Sequence, residues 1–134
     1  MKKTLILLLT LSLLLVSCGT TADLWSTATY TGDATVGEGE KSVTVTVEAQ
    51  EKTVTLTVYY DDGELLSEPL LENHLIVGEN GDYGLYVTSV NGITADYNKD
   101  GSYWMLYING EIAPTGVSQT TIRDGETYEF IYTK

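Results

Sequence analysis

SVTVTVEAQEKTVTLTVYY, residues 42–60, decides the fold. Val43, Val45 and Val47 alternate with Thr44, Thr46 and Glu48. Val54, Leu56, Val58 and Tyr60 then alternate with Thr55, Thr57 and Tyr59. Successive side chains of a strand point to opposite faces, so a period of two marks a half-buried strand. The β-branched residues reinforce that reading, because they pack well on a pleated surface. AQEK, residues 49–52, joins the two runs as a hairpin loop. The expected product is one sheet with valines inward and threonines outward.

Working toward the C-terminus, DDGELLSEPLLENHLIVGENG (residues 61–81) changes period. Leu66, Leu70 and Leu71 share one face of a helix. Ser67 is a good N-cap, and Pro69 fits a first turn. One short helix is expected over residues 67–73. Asn91-Gly92, Asn109-Gly110 and Asp124-Gly125 then mark turns between strands, and the last strand spans residues 127–132. The order β-β-α-β-β-β predicts an α+β domain, a mixed sheet curled over one helix.

Working toward the N-terminus, residues 19–41 are rich in Thr, Ala and Gly and have no sustained apolar period. They read as a flexible tether, with Trp25 and Tyr30 lacking an assigned role. Residues 4–16 are apolar and follow Lys2 and Lys3. The stretch is short for a permanent span and fits a signal peptide. It ends in LVSC, residues 15–18, which resembles the lipobox of bacterial lipoproteins. The resemblance implies cleavage of residues 1–17 and lipidation of Cys18. Cys18 is the only cysteine, so no disulfide forms within the chain. Two acyl chains suffice for stable anchoring on the extracytoplasmic face of the cell membrane. The organisation is therefore signal peptide 1–17, lipidated tether 18–41 and domain 42–134. Removing Lys2 and Lys3 takes the formal charge from −12 to −14. Such a surface repels phosphate backbones, so nucleic acid is excluded as a partner.

SYWMLYINGEIAPTGV, residues 102–117, carries the chemistry of interest. Strand parity sends Trp104, Leu106 and Ile108 to one face, and Tyr103, Met105 and Tyr107 to the other. The apolar set is expected in the core. Tyr103 and Tyr107 offer flat apolar rings with polar tips, either a ligand platform or a second packing layer. Thr115, Gly116 and Val117 lie in a loop stiffened by Pro114, and loops on rigid sheets often bind. DYNKDG, residues 96–101, matches the first half of a calcium loop through Asp96, Asn98 and Asp100. Position twelve is Tyr107, where a bidentate Glu is needed. A polar hairpin tip is expected instead, and no metal or other cofactor is assigned. His74 is the only histidine, with no nucleophile elbow or Gly-rich phosphate loop nearby. The chain reads as a binder and not as an enzyme.

Residues 83–133, YGLYVTSVNGITADYNKDGSYWMLYINGEIAPTGVSQTTIRDGETYEFIYT, resemble the DUF4430 domain of bacterial surface lipoproteins. That domain is similar to the C-terminal domain of transcobalamin and intrinsic factor. Gly84, Tyr86, Val87, Val90, Asn91, Gly92, Tyr103, Trp104, Asn109, Gly110, Gly116, Val117, Asp124, Gly125 and Tyr128 carry the match. The resemblance implies a β-grasp-like fold and a small-molecule ligand, with a corrinoid as the model, and it adds Tyr86 to the candidate ligand residues. In the animal transporters a large helical barrel supplies the other wall of the site. No barrel fits in the 117 residues left after cleavage. Two functions remain open: capture of a small molecule, or attachment to a protein or cell-wall partner.

Overall fold

The computed structural model describes residues 22–134. Cys18 and the signal peptide lie outside the described residues. The chain begins with a 3-10 turn, Leu24–Thr27, and strand β1 (Ala34–Gly37). Then come β2 (Lys41–Ala49), β3 (Lys52–Tyr60) and helix α1 (Ser67–Glu72). Strands β4 (Ile76–Gly81), β5 (Gly84–Val90) and β6 (Ile93–Thr94) precede helix α2 (Tyr97–Asp100). Strands β7 (Tyr103–Ile108) and β8 (Glu111–Ile112), a 3-10 turn Val117–Gln119, and β9 (Thr127–Thr133) complete it.

The strands form a six-stranded sheet of order β1-β3-β2-β9-β7-β8 and a three-stranded sheet of order β4-β5-β6. In the larger sheet β2 runs antiparallel to β3 and parallel to β9, while β7 runs antiparallel to β9. The fold is α+β with a mixed sheet, as expected, but strands dominate and they split into two sheets. The split has a local cause. Strand β5 pairs with β4 and β6 only, and Leu85 gives its N–H to Ser118 Oγ at 3.0 Å instead of to another strand.

The alternation of residues 42–60 holds through both strands. Val43, Val45, Val47, Val54, Leu56, Val58 and Tyr60 are buried, and the intervening threonines are not. Cross-strand register adds Tyr128, Phe130 and Trp104 to the same face. Leu66 and Leu70 at α1, Leu75, and Ile76, Val90 and Ile93 of the smaller sheet cover it. At about 25 cal/mol per Å² of apolar surface removed from water, this two-layer core is the main source of stability.

Three expectations change. Residues from Asp23 onward are not a tether but a strap. Trp25 is buried and its indole N–H donates to Ala49 O at 2.8 Å, under the Lys52 ammonium 4.7 Å from the ring centre. Further along, β1 pairs in parallel with β3. The strap is also clamped by Asn91, which is fully buried. Its Oδ1 accepts from Tyr30 N at 2.9 Å and its Nδ2 donates to Tyr30 O at 2.8 Å.

Second, Ser67 is not the N-cap of α1. Leu66 occupies that position with helical backbone angles, Ser67 is buried, and Glu68 turns back to accept from Leu65 N. The helix stops at Glu72, one residue early, because Asn73 Nδ2 bonds Pro69 O at 2.7 Å and His74 turns left-handed at φ 55°. Third, residues 96–101 form a single helical turn and not a hairpin tip. Asp96 caps it through Lys99 N, and Gly101 ends it at φ 77°.

Candidate functional site

Strand β8 pairs with β7 only at Tyr107 and Ile108, leaving the edge of β7 from Tyr103 to Met105 without a strand neighbour. Strand β5 passes nearby. A groove of about 310 Å³ opens between these two strands. Leu85, Tyr86 and Val87 form one wall, and Trp104, Met105 and Leu106 the other. Residues 112–117 rim it, and Phe130 lies at its base.

The rim is held in place. Ala113 N donates to Leu106 O at 3.0 Å, and Gln119 N to Gly116 O at 3.1 Å. Thr120 Oγ1 donates to Gly116 O at 2.8 Å and sits 3.0 Å from Thr115 Oγ1. Pro114 has a fixed φ, so the loop loses little freedom on binding. Trp104 is nearly buried. Its indole N–H donates to Ile93 O at 3.0 Å, and its ring meets Tyr132 edge-on with centres 5.5 Å apart. It is a core residue and a groove wall at once.

Of the residues singled out from sequence, Tyr86, Trp104, Thr115, Gly116 and Val117 converge on this groove. Tyr103 and Tyr107 do not. Parity puts them on the open face of the large sheet, where both are half-buried. Leu85, Val87, Leu106, Ile112 and Phe130 join the lining, none of them a candidate ligand residue from sequence. In sequence they read as ordinary strand residues. Proximity to Tyr86 and Trp104 pointed to Leu85, Val87 and Leu106; nothing in sequence pointed to Ile112 or Phe130.

The lining carries no carboxylate, imidazole, thiol, ammonium or guanidinium group. Such walls suit a neutral ligand with a large apolar face, since an ion placed there would lose hydration without gaining a partner. A larger hollow of about 450 Å³ lies on the other flank of the rim. Its lining is mostly polar, with Asn109, Glu111, Gln119, Arg123 and Glu126. The apolar groove is therefore the better candidate for a ligand site.

Asp96 and Asp100 are engaged within their own turn. Asp100 Oδ1 accepts from Ser102 N at 3.0 Å and from the Ser102 hydroxyl. These bonds, the hydroxyl's first, hold its carboxyl below the usual range. Among the described residues no three His, Cys, Asp or Glu side chains converge as a metal site. No helix among them is long and apolar enough to cross a membrane.

Fold and groove define a two-sheet α+β module with a preformed, uncharged cleft. Residues 63–134 match the family model described as domain of unknown function DUF4430, and the chain belongs to that family. A crystal structure of a "putative metal binding protein" from Ruminococcus gnavus is similar at 32% identity and a TM-score of 0.65. The match covers 71% of this chain and 98% of that one. Haptocorrin, in a crystal structure with Cbi, is similar at 27% identity and a TM-score of 0.59. That match covers 70% of this chain and 25% of haptocorrin, so this chain spans about a quarter of its relative. Similarity to haptocorrin supports the relationship to transcobalamin-type C-terminal domains. Comparison with curated proteins gives no match.

Proposed function

We propose that this chain is a small-molecule-binding module that captures a neutral ligand with a broad apolar face, a corrinoid or a molecule of that shape. One observation carries the reading: a preformed groove with no ionised side chain in its lining, in a fold shared with a protein crystallised with Cbi. The central strand order β3-β2-β9-β7, with β2 and β9 parallel in the middle, supports a β-grasp-like core. The groove offers one continuous wall, so tight binding calls for a second wall from a partner protein or a second copy. Apart from the Tyr86 and Thr115 hydroxyls the lining holds no acid–base or nucleophilic group, which supports binding without catalysis. Cys18 as a lipid anchor places the module on the extracytoplasmic face of the membrane.

A thermal-shift screen against cobinamide, cobalamin, other tetrapyrroles and simple sugars tests the reading. A ligand present at 100 times its Kd and bound only by the folded state stabilises it by about 2.7 kcal/mol, a clear rise in Tm. Thr115→Trp, which fills the mouth of the groove, should abolish the rise. An unchanged Tm with every tetrapyrrole would overturn it.

The second reading is attachment to a protein or cell-wall partner through the open face of the large sheet. Tyr103, Tyr107 and Ile131 lie half-buried on that face, which favours it.

A further inference from the structure

A separate hollow of about 410 Å³ lies over the outer face of the small sheet. Glu79 of β4, Tyr86 and Thr88 of β5, and Thr94 of β6 form its floor, and the start of α2 overhangs it with Asp96, Tyr97 and Asn98. Tyr86 is 51% exposed and Tyr97 63% exposed. The Tyr97 ring is steadied by an edge contact with Tyr103, with centres 6.3 Å apart. Among the described residues, the side chains of Glu79, Thr94 and Asn98 make no hydrogen bond, and Asp96 uses one carboxylate oxygen on Lys99 N at 3.2 Å.

We propose that this hollow binds a neutral saccharide. A sugar ring presents an apolar C–H face and a periphery of hydroxyls. Exposed tyrosine rings match the first. Unengaged carboxylate, amide and hydroxyl groups match the second, as acceptors and donors with capacity to spare. The alternatives fit less well. The lining has no cation, so phosphate, sulfate and uronate groups meet repulsion from Glu79 and Asp96. A purely apolar ligand would strand those polar groups. This site does not rest on the corrinoid reading; the two share only Tyr86, which stands between them.

The test is an NMR titration of the soluble chain with tetra-N-acetylchitotetraose, cellotetraose, xylotetraose and mannotetraose at millimolar concentration. At least one should shift the amides of Glu79, Tyr86 and residues 94–98. Tyr97→Ala should weaken that binding about tenfold, roughly 1.4 kcal/mol. Tyr97→Phe, which keeps the ring, should retain most of it, and both variants should melt with the parent. Thr115→Trp should leave saccharide binding unchanged. No shifts with any of the four sugars, shifts mapped elsewhere, or binding that survives Tyr97→Ala would overturn the proposal.

Discussion

Asn91→Gly isolates the clamp that holds the N-terminal strap. The native residue sits at φ 53°, a left-handed conformation that glycine adopts without strain. The substitution therefore leaves the Asn91-Gly92 turn intact and removes only the side chain. Two hydrogen bonds to Tyr30 are lost, at 2.9 and 2.8 Å. A typical bond contributes about 0.5–1.5 kcal/mol net, so the pair is worth about 1–3 kcal/mol. Tyr30 is only half-buried and water can re-pair its backbone, which places the expected loss near 2 kcal/mol. Asn91→Ala should cost about 1–2 kcal/mol more, because a Cβ at that φ is strained. Urea denaturation of both variants measures the losses, and hydrogen exchange at Tyr30 N–H reports release of the strap. A midpoint unchanged in Asn91→Gly, with Tyr30 still protected, would refute the clamp.

Trp104→Ala should destabilise by about 3–5 kcal/mol, the range for emptying a large aromatic site. Tyr103→Ala and Tyr107→Ala should cost about 1 kcal/mol each, and equal losses in all three would contradict the face assignment. Burial, followed by the hydrogen bond to Glu126, pushes the Tyr128 hydroxyl up to about 12. The folded state holds that proton more tightly than the unfolded chain. This stabilisation is complete below about pH 10 and is lost as pH rises toward 12. Tm should fall through that window. Burial raises Tyr60 in the same direction, so Tyr128→Phe should flatten part of the fall, and an unchanged slope would count against the assignment. Cys18→Ala should release the protein from membranes into the soluble fraction, and retention would rule out the lipid anchor.

Residues 42–60 declare their strands because each apolar residue meets the core two positions from the last. The strap was illegible for the opposite reason. Trp25 and Tyr30 stand alone among Thr, Ala and Gly, and their partners Ala49 and Asn91 are 24 and 61 residues away. Asn91 was readable as a turn, but its clamp depends on a segment that periodicity cannot see. Residues 96–101 show another limit. Asp at the start and Gly at the end suit a capped helical turn as well as a calcium loop, so residue type alone does not choose. Strand β4 also carries a register shift at Val77 and Gly78, where a Cβ on Gly78 would come within 2.4 Å of Tyr86 O, and no periodicity in the sequence announces it. The groove was half legible. Its polar and small residues stood out in the loop, while Leu85, Val87 and Phe130 looked like any core.

Gln50 and Glu51 turn the β2–β3 hairpin at φ 48° and 61°, and Gln50 offsets the strain by binding Ala22 O and Leu24 N. That docking fixes the length of the leash. Between Cys18 and Asp23 lie five peptide steps, at most about 18 Å of extended chain. A lipid at Cys18 would hold the module almost against the headgroups, hairpin tip downward, with Lys52 and Lys134 on the near side. The parallel run of β2 and β9 puts Asp61, Glu64, Asp124 and Glu126 at the opposite pole, facing outward. A 24-residue tether would let the module wander; a five-step link from a lipid at Cys18 would keep it within about 18 Å of the surface. Any companion that completes the groove would then have to approach sideways, along the plane of the membrane, or from above.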